Sequence, residues 1–236
     1  MLRLGVLPEG YIYPKAERAV RDVLRKRSHL VRQQTANVLS LQNIIVRHTG
    51  MRLSAKRMHE LTLEECERLL PEPDQVLAVT SSLAVLHCLR QQIKALEKLV
   101  HKRLQHTPAY EQLQTVEGIG TILAQTIVLE TGDIRRFPTV GNYASYCRCV
   151  QSTKISNGKR KGQGNVKNGN PYLEWAYMEA AQFAVRFSPT VQRFYQRKQA
   201  KSHLMVARKA VAHKLSRACY YLMRDLVPFH VHKAFG

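Results

Sequence analysis

Two long stretches of the chain carry apolar residues at alternating four- and three-residue spacing, the pattern of an apolar stripe along a helix. The first stretch follows Pro14, which suits the first turn of a helix. Its stripe comprises Ala16, Val20, Val23, Leu30, Val38, Leu41 and Ile45. The second stretch runs from about Pro73 to Gln105, and its stripe comprises Val79, Leu83, Leu86, Ile93, Val100 and Leu104. Because two such stripes can pack together, we predict a helical hairpin that resembles an antiparallel coiled coil.

The connection between these stretches predicts a further, short helix. Thr62 and Glu65 in "TLEECERLL" have the spacing of a capping box, in which each side chain accepts a hydrogen bond from the backbone N–H of the other residue. Arg27 and Gln34 interrupt the first stripe, which is tolerated where a long helix leaves the core and contacts another surface. We expect the hairpin to form a domain over residues 1–106 and its stripes to be a core, or a seam between chains of a homo-oligomer.

Residues 107–236 are predicted as a second domain, which begins at the helix-stopping pair Thr107-Pro108. Helices are expected near 121–131, 139–149, 171–187 and 203–226. Alternating β-type segments are essentially absent, so the predicted fold class is all-α, with a long helical hairpin followed by a small helical domain.

The cysteines and the hydropathy indicate the compartment. Five cysteines are scattered without a disulfide or zinc spacing, and we expect them to be reduced. A bilayer span needs a run of about 18 apolar residues, and the sequence contains none. The sequence therefore predicts a cytosolic protein without a membrane role.

The charge distribution indicates where a partner binds. The net charge of +20 far exceeds what solubility requires and favours a polyanionic partner, most simply nucleic acid. Residues 1–133 hold 18 basic and 14 acidic side chains, whereas residues 134–236 hold 19 basic and 3 acidic. Residues 180–224 contain no acid, although a merely solvated face normally mixes signs. We therefore expect the C-terminal half to contact the nucleic acid.

Two motifs, at residues 118–120 and 135–136, predict backbone-phosphate contacts. Gly118-Ile119-Gly120 forms a tight turn before an apolar helix, which is typical of a helix-hairpin-helix element that offers free N–H groups to a phosphate. The alternative is a glycine turn that joins two helices and binds nothing. Arg135 and Arg136 precede a helix start and are predicted phosphate contacts, while the tyrosines of that helix are assigned to the core.

A third motif, "QSTKISNGKRKGQGNVKNGN" at residues 151–170, combines basic residues with glycines and asparagines that permit left-handed backbone conformations. Its cations are Lys154, Lys159, Arg160, Lys161 and Lys167. The residues predict a loop that binds phosphate. A catalytic hydroxyl from Ser152, Thr153 or Ser156 is the alternative, although the stretch has no His, Asp or Glu to act as a base.

Two longer segments carry a resemblance to a known family. "GIGTILAQTIVLETGDIRRFPTVGNYASYC" and "SNGKRKGQGNVKNGNPYLEWAYMEAA" resemble the C-terminal domain of the insertion-sequence one-ten family of transposases, and the eleven-eleven subgroup fits best. "RLGVLPEGYIYPKAERAVRDVLRKRSHLVRQQTANVLSLQN" resembles the segment that enters that family's coiled coil. The resemblance implies an RNA-guided DNA recombinase, in which an N-terminal RuvC-like domain contributes metal-binding carboxylates and a C-terminal domain contributes a serine nucleophile. The resemblance also implies that the guide is a structured RNA and that the protein acts in the bacterial cytosol, in association with the nucleoid.

The family's Ser-x-x-x-x-(Lys/Arg)-Gly spacing implies that Ser156 is the nucleophile, with Lys161 and Gly162 at the end of the pattern. Asn157 stands where the family often has glycine, so Ser152 is kept as the alternative nucleophile. The resemblance also implies that the chain begins past the RuvC-like carboxylates. We therefore expect an N-terminally truncated transposase, with Mg²⁺ bound only when the missing domain is present. The alternatives are a true start that lies upstream and a separate chain that supplies the missing domain. The rival expectation is a non-catalytic DNA- or RNA-binding protein that modulates an intact transposase.

Overall fold

The computed structural model of the protein describes residues 11–150, 153–163 and 168–236, and these form an all-α fold, as predicted. The helices are α1 (Lys15–Thr49), α2 (Ala55–Met58), α3 (Leu63–Leu69), α4 (Pro73–Leu104), α5 (Pro108–Gln114), α6 (Thr121–Thr131), α7 (Val140–Tyr146), α8 (Pro171–Phe187), α9 (Pro189–Gln199), α10 (Leu204–Asp225) and α11 (Val231–Phe235). A 3₁₀ helix (Ile134–Arg136) lies between α6 and α7, and strands β1 (Thr153–Ser156) and β2 (Lys159–Gln163) lie between α7 and α8.

The chain divides into two compact units. The helical unit is Asp22–Lys102, and the C-terminal unit is Arg103–Gly236 together with the described residues up to Arg21. Residues 11–21 thus pack with the C-terminal unit, through contacts described below. The predicted domains 1–106 and 107–236 stay a prediction.

Within the helical unit, α1 and α4 lie side by side and antiparallel. Arg27, near the start of α1, donates from Nε to Oε1 of Glu97 near the end of α4 over 2.8 Å. The core at the other end of the unit joins α1 and α4 with α2, α3 and their connections. It comprises Val38, Leu41, Ile45, Met58, Leu61, Cys66, Leu70, Val79, Leu83 and Leu86. The coiled coil as such and an association between chains stay predictions.

The stripes and the capping box were predicted with different success. Every predicted apolar residue of α4 is buried, whereas Ala16 is exposed and Leu24, which the predicted stripe omitted, is buried. A straight helix turns once every 3.6 residues, so a seven-residue register drifts around its surface. The capping box of α3 is confirmed, because Thr62 Oγ1 accepts from Glu65 N at 3.3 Å and Glu65 Oε2 accepts from Thr62 N at 3.1 Å.

The C-terminal unit is built around α8 and α10, which contact each other and most of the neighbouring helices. Alanines 176, 180, 181 and 184 are fully buried on α8, and their small side chains allow other backbones to approach closely. The helices predicted near 121–131, 171–187 and 203–226 correspond to α6, α8 and α10. Helix α7 ends at Tyr146, earlier than predicted, and α9 was not predicted although Pro189 provides a helix-start signal.

Two further sequence expectations concern the whole chain. Among the described residues, no helix is long and apolar enough to cross a membrane. The five cysteines are free rather than joined in disulfides, and four of them are buried.

Candidate nucleic-acid interface

The basic stretch at residues 151–170 contains an antiparallel β-hairpin, where the sequence had predicted a loop. Asn157 and Gly158 are the two turn residues, with φ of 51° and 70°. Positive φ at both central positions is the geometry that matches the twist of a two-residue hairpin, and Asn-Gly is its strongest sequence signal. The left-handed conformations expected for this stretch therefore form a hairpin turn.

Ser156, the predicted nucleophile, is the last residue of β1 and its side chain is exposed beside the turn. It pairs with Lys159, so the two side chains leave the same face of the hairpin. The register shifts beyond Ile155, and this leaves exposed Lys161 opposite no partner in β1, as in a β-bulge. Lys154 and Arg160 lie in β1 and β2, while Ser152 and Lys167 lie outside the described residues.

The two chain segments that flank the hairpin are tied to each other. Arg148, which has a φ of 55°, donates from Nε to the carbonyl of Asn168 over 3.0 Å. The N–H of Asn170 donates to the carbonyl of Tyr146 over 2.7 Å. Gly169 has a φ of 94°, and a Cβ there would lie 2.5 Å from the Tyr146 carbonyl oxygen. The described segments on either side of the hairpin, residues 146–148 and 168–170, are therefore joined by hydrogen bonds, and they are called the hairpin base below.

A buried carboxylate supports this base. Asn170 caps α8, since its Oδ1 accepts from the N–H groups of Tyr172 and Leu173. Its Nδ2 donates to Oε2 of Glu130 over 2.8 Å, and Glu130 is 1% exposed. A buried charge is costly unless it is hydrogen-bonded, so this contact fixes Asn170 against α6. Sequence reasoning missed both residues, although Asn before Pro171 is a recognisable helix-cap signal.

Arg136 contacts residues within the C-terminal unit, and its predicted phosphate contact stays a prediction. Its Nε donates to the carbonyl of Thr131 over 3.0 Å and its Nη2 to the hydroxyl of Tyr13 over 3.3 Å. The guanidinium lies 4.3 Å from the centre of the Tyr11 ring and 4.6 Å from that of Tyr146. Such cation–π contacts hold Arg136 as a packing residue. Arg135 is exposed beside it, and its phosphate contact stays a prediction.

The phenols of Tyr13 and Tyr146 are 3.4 Å apart and differ in acidity. Burial raises the pKa of Tyr13 well above the usual range of a phenol. Burial would also raise the pKa of Tyr146, but hydrogen bonds with Tyr13, Asn170 and Arg136 outweigh it and lower that pKa below its usual value. The proton of Tyr13 is donated over 2.6 Å to the carbonyl of Glu130, which ties residues 11–21 to α6.

The predicted Gly118-Ile119-Gly120 turn does connect two helices, α5 and α6. Gly118 has a φ of 99°, and a Cβ there would lie 2.6 Å from both the carbonyl oxygen of Ala180 and the N–H nitrogen of Ala184. It therefore faces α8, where the sequence had predicted an approach to a partner. Gly120 has no atom within 4 Å of its Cβ position and precedes α6 without a side-chain cap. The helix-hairpin-helix role and its phosphate contact stay predictions.

The basic run over residues 180–224 forms exposed surface on α8, α9 and α10. The exposed cations are Arg186, Arg193, Arg197, Lys198, Lys201, Arg217 and Arg224, whereas Arg208, Lys209 and Lys214 are half-buried. Glu174 on α8 lies 3.5 Å from Lys209 and 3.6 Å from Arg148, so it partly neutralises both. Within the described ranges, no three His, Cys, Asp or Glu side chains are grouped so that they could hold a metal ion.

Comparison with known proteins gives two findings. Residues 110–196 match the family model of the Transposase IS116/IS110/IS902 family, and the match spans the turn before α6, the hairpin and α8. Over 186 residues the chain is 25% identical to the "Insertion element IS110 uncharacterized 43.6 kDa protein" of Streptomyces coelicolor. That alignment covers 77% of this chain and 46% of the relative, so it spans about half of the relative's length. The C-terminal unit therefore contains a segment similar to the transposase domain of the IS116/IS110/IS902 family.

Proposed function

We propose that the chain is a transposition protein of an insertion element, which binds DNA through its C-terminal unit and presents Ser156 as a nucleophile. The observation that carries this proposal is the family match over residues 110–196, which spans the hairpin that exposes Ser156. The printed name of the Streptomyces relative, which refers to an insertion element, also supports it. The two segments that resemble the family fit the eleven-eleven subgroup best, and a structured guide RNA is the second polyanionic partner of the proposal.

The proposed chemistry is a phosphoryl transfer to serine. Ser156 Oγ attacks the phosphorus of a DNA phosphodiester, a serine–phosphate ester forms, and the bond to one deoxyribose oxygen breaks. The hydroxyl proton passes to a base outside the hairpin, and the departing deoxyribose oxygen takes up a proton. A second DNA hydroxyl then attacks the phosphoserine, which joins the strands and restores Ser156.

The geometry of the hairpin supports two roles in this reaction. Lys159 shares a face with Ser156, and Lys161 is exposed at the bulge, so both can approach the negative charge that develops on the phosphoryl oxygens. Precise placement of a nucleophile requires supporting hydrogen bonds behind it. The Arg148, Gly169 and Asn170 contacts hold together the two described segments that flank the hairpin, and we propose that they support its placement. No step in this proposal is assigned to a metal held by the described residues.

The test is trapping of a covalent protein–DNA adduct. The full chain is incubated with a labelled DNA bearing an element end, a guide RNA and Mg²⁺, both alone and with the part of the Streptomyces relative that the chain does not cover. Denaturing electrophoresis then detects the adduct for wild type, Ser156→Ala, Ser152→Ala and Ser145→Ala. Ser145 is an exposed serine of α7 and is the matched control.

We expect an adduct in wild type, Ser152→Ala and Ser145→Ala, and its loss in Ser156→Ala. An adduct that survives Ser156→Ala and vanishes in Ser152→Ala would move the nucleophile to Ser152. Survival in both variants would reduce the hairpin to a phosphate-binding element. DNA binding without an adduct under any condition would favour the second candidate function, a non-catalytic nucleic-acid-binding protein that modulates an intact transposase.

Self-association belongs to the same proposal. The helical unit exposes apolar side chains on both long helices, and burial of these between chains would be favourable. They are Leu39, Val46, Leu77, Val85 and Leu99. Sedimentation of the full chain should reveal a dimer or larger species that Leu77→Glu weakens, and a monomer at all concentrations would contradict this.

A further inference from the structure

A concave pocket of about 740 Å³ lies between the end of α10, the segment that follows it, and α11. This volume is within the range of about 300–1,000 Å³ that is typical of small-ligand sites. Leu226 ends α10 with a φ of 53°, which turns the chain back toward α11. The N–H of Phe229 donates to Thr115 Oγ1 over 3.0 Å and anchors the returning segment. The segment between α10 and α11, which forms part of the pocket wall, is therefore held in place by a hydrogen bond to Thr115.

The pocket is lined by both cationic and aromatic side chains. Lys214, Arg217 and Lys233 line it, together with His213 and His230. Its apolar lining includes Tyr221, which is 40% exposed, and Phe229. A positively charged groove with exposed aromatic rings is the combination that binds single-stranded nucleic acid, because cations contact phosphates and unpaired bases stack on the rings.

The positive charge of the pocket is poorly compensated within the protein. Asp225 is the one acid among its described lining residues, and its two carboxylate oxygens lie 2.7 and 2.9 Å from the Arg224 guanidinium. Lys214 donates to the carbonyl of Ala234 over 2.7 Å, which leaves its charge without a carboxylate at that contact. Burial lowers the pKa of Lys214, and the neighbouring cations Arg217 and Lys198 lower it further. An anion in the pocket would relieve this repulsion.

We propose that this pocket binds an unpaired nucleotide of a DNA or RNA strand, with its phosphate on Lys214, Arg217 and Lys233 and its base against Tyr221 and Phe229. A duplex keeps its bases stacked, so it cannot place one against these rings without unpairing it. The proposal rests on the proposed nucleic-acid-binding function and adds to it a preference for unpaired strands. The pocket is formed by residues beyond the segment 110–196 that matches the transposase family.

The experiment measures fluorescence anisotropy of three labelled probes with the full chain at one fixed salt concentration. The probes are a single-stranded 12-nucleotide DNA, an RNA of the same sequence, and a blunt DNA duplex. The variants are the double substitution Arg217→Gln with Lys233→Gln, and the single substitutions Tyr221→Ala and Tyr221→Phe. The charge-matched control is Arg186→Gln with Lys201→Gln, two exposed cations outside the pocket.

We expect the Arg217/Lys233 variant and Tyr221→Ala each to weaken single-strand binding by about tenfold and duplex binding by less than about threefold, since one base stacked on an aromatic ring contributes this much. Tyr221→Phe should retain single-strand binding because it keeps the ring. The control should weaken the single-stranded and duplex probes by equal factors. The DNA and RNA probes distinguish the two sources of the strand.

Each contrary outcome has its own meaning. Single-strand affinity that is unchanged in Tyr221→Ala, or a control as selective as the pocket variants, would overturn the pocket proposal and leave the proposed function standing. Wild-type chain that binds none of the three probes would overturn the proposed nucleic-acid-binding function itself. Circular dichroism of each variant verifies folding, and Tyr221→Phe provides a second test if Tyr221→Ala unfolds.

Discussion

The helical unit and the C-terminal unit use polar residues in opposite ways. In the helical unit, Arg27 pairs with Glu97 and Arg57 with Glu65, at positions that solvent still reaches. In the C-terminal unit, Glu130 and Asn170 are buried and hydrogen-bonded to each other. Exposed pairs contribute little to stability, whereas a broken buried network leaves an unsatisfied group at high cost.

The two units also differ in backbone conformation. Among the described residues, the non-glycine residues with positive φ are Arg148, Asn157 and Leu226, and all three belong to the C-terminal unit. Such conformations persist only where the surrounding structure enforces them, and they concentrate at functional sites. Arg148 lies at the hairpin base, Asn157 lies in the hairpin turn, and Leu226 ends α10 next to the α10–α11 pocket. The comparison indicates that the helical unit is a regular scaffold and that specific geometry is concentrated in the C-terminal unit.

Among the substitutions that test this difference between the units, Gly118→Ala should have the largest effect on stability. Its Cβ would overlap two backbone atoms of α8, at a residue whose φ of 99° already disfavours alanine. We expect a loss of roughly 4 kcal/mol in the free energy of unfolding, from overpacking and backbone strain together. Gly120→Ala is the matched control, since it meets open space at an ordinary φ and should change stability by less than about 1 kcal/mol. Urea unfolding measures both, and equal losses would refute the packing role of Gly118.

The second-largest expected effect is on nucleic-acid affinity, which should fall more when charges are reversed in the C-terminal unit than in the helical unit. Arg193→Glu with Arg197→Glu on α9 should weaken DNA binding by roughly 30-fold at physiological salt, because two phosphate contacts become repulsive. The same reversal at Arg32 and Arg47, exposed on α1, should weaken it by less than about threefold. Wild-type affinity should also fall steeply with salt concentration. Anisotropy titrations at several salt concentrations measure these effects, and equal losses in the two variants would contradict the assignment of DNA to the C-terminal unit.

Loss of a helix cap should cost more in the C-terminal unit than in the helical unit. Asn170→Ala removes the cap of α8 and takes one hydrogen-bond donor away from the buried Glu130 side chain, so we expect a loss of about 3 kcal/mol. Thr62→Ala removes only the exposed cap of α3 and should cost about 1 kcal/mol. Thermal unfolding measures the loss of stability in both variants. A loss for Asn170→Ala that is no larger than that for Thr62→Ala would show that the contact between Asn170 and Glu130 does not contribute to stability.

The smallest expected effect concerns protonation of the pocket. Burial lowers the pKa of His213, and Arg217 and Lys214 lower it further. The folded-state pKa of His213 therefore lies below the unfolded value of about 6.5. Above that pH the ring is neutral in both states, so its titration does not change the free energy of unfolding. As the pH drops toward the folded-state pKa, the unfolded state takes up the proton first and the free energy of unfolding falls. Arg217→Gln should raise the pKa of His213. An NMR titration of the histidine ring protons measures it, and a pKa that is unchanged or lower in the variant would argue against the cationic repulsion.

Elements whose signals are local could be predicted from the amino-acid sequence. Stripe periodicity and Pro73 located α4, the Thr62–Glu65 spacing identified the cap of α3, and the apolar run after Gly120 identified α6. The resemblance selected Ser156, and the structure describes it as an exposed residue beside the hairpin turn, while its catalytic role stays a prediction. The Asn157-Gly158 hairpin was also readable from the sequence, but the density of basic and polar residues favoured a loop interpretation.

Long-range side-chain contacts inside the protein could not be predicted from the sequence and follow from the packing of the helices. Arg136 has the same sequence neighbourhood as Arg135, yet it turns toward Tyr13, which lies 123 residues earlier in the chain. Glu130 and Asn170 meet across 40 residues, and Gly118 is required by the backbone of α8. The α10–α11 pocket depends on a left-handed Leu226 and on the Phe229–Thr115 contact. Helical periodicity and capping depend on residues a few positions apart in the sequence. These contacts form only after distant helices have packed, so local sequence patterns do not predict them.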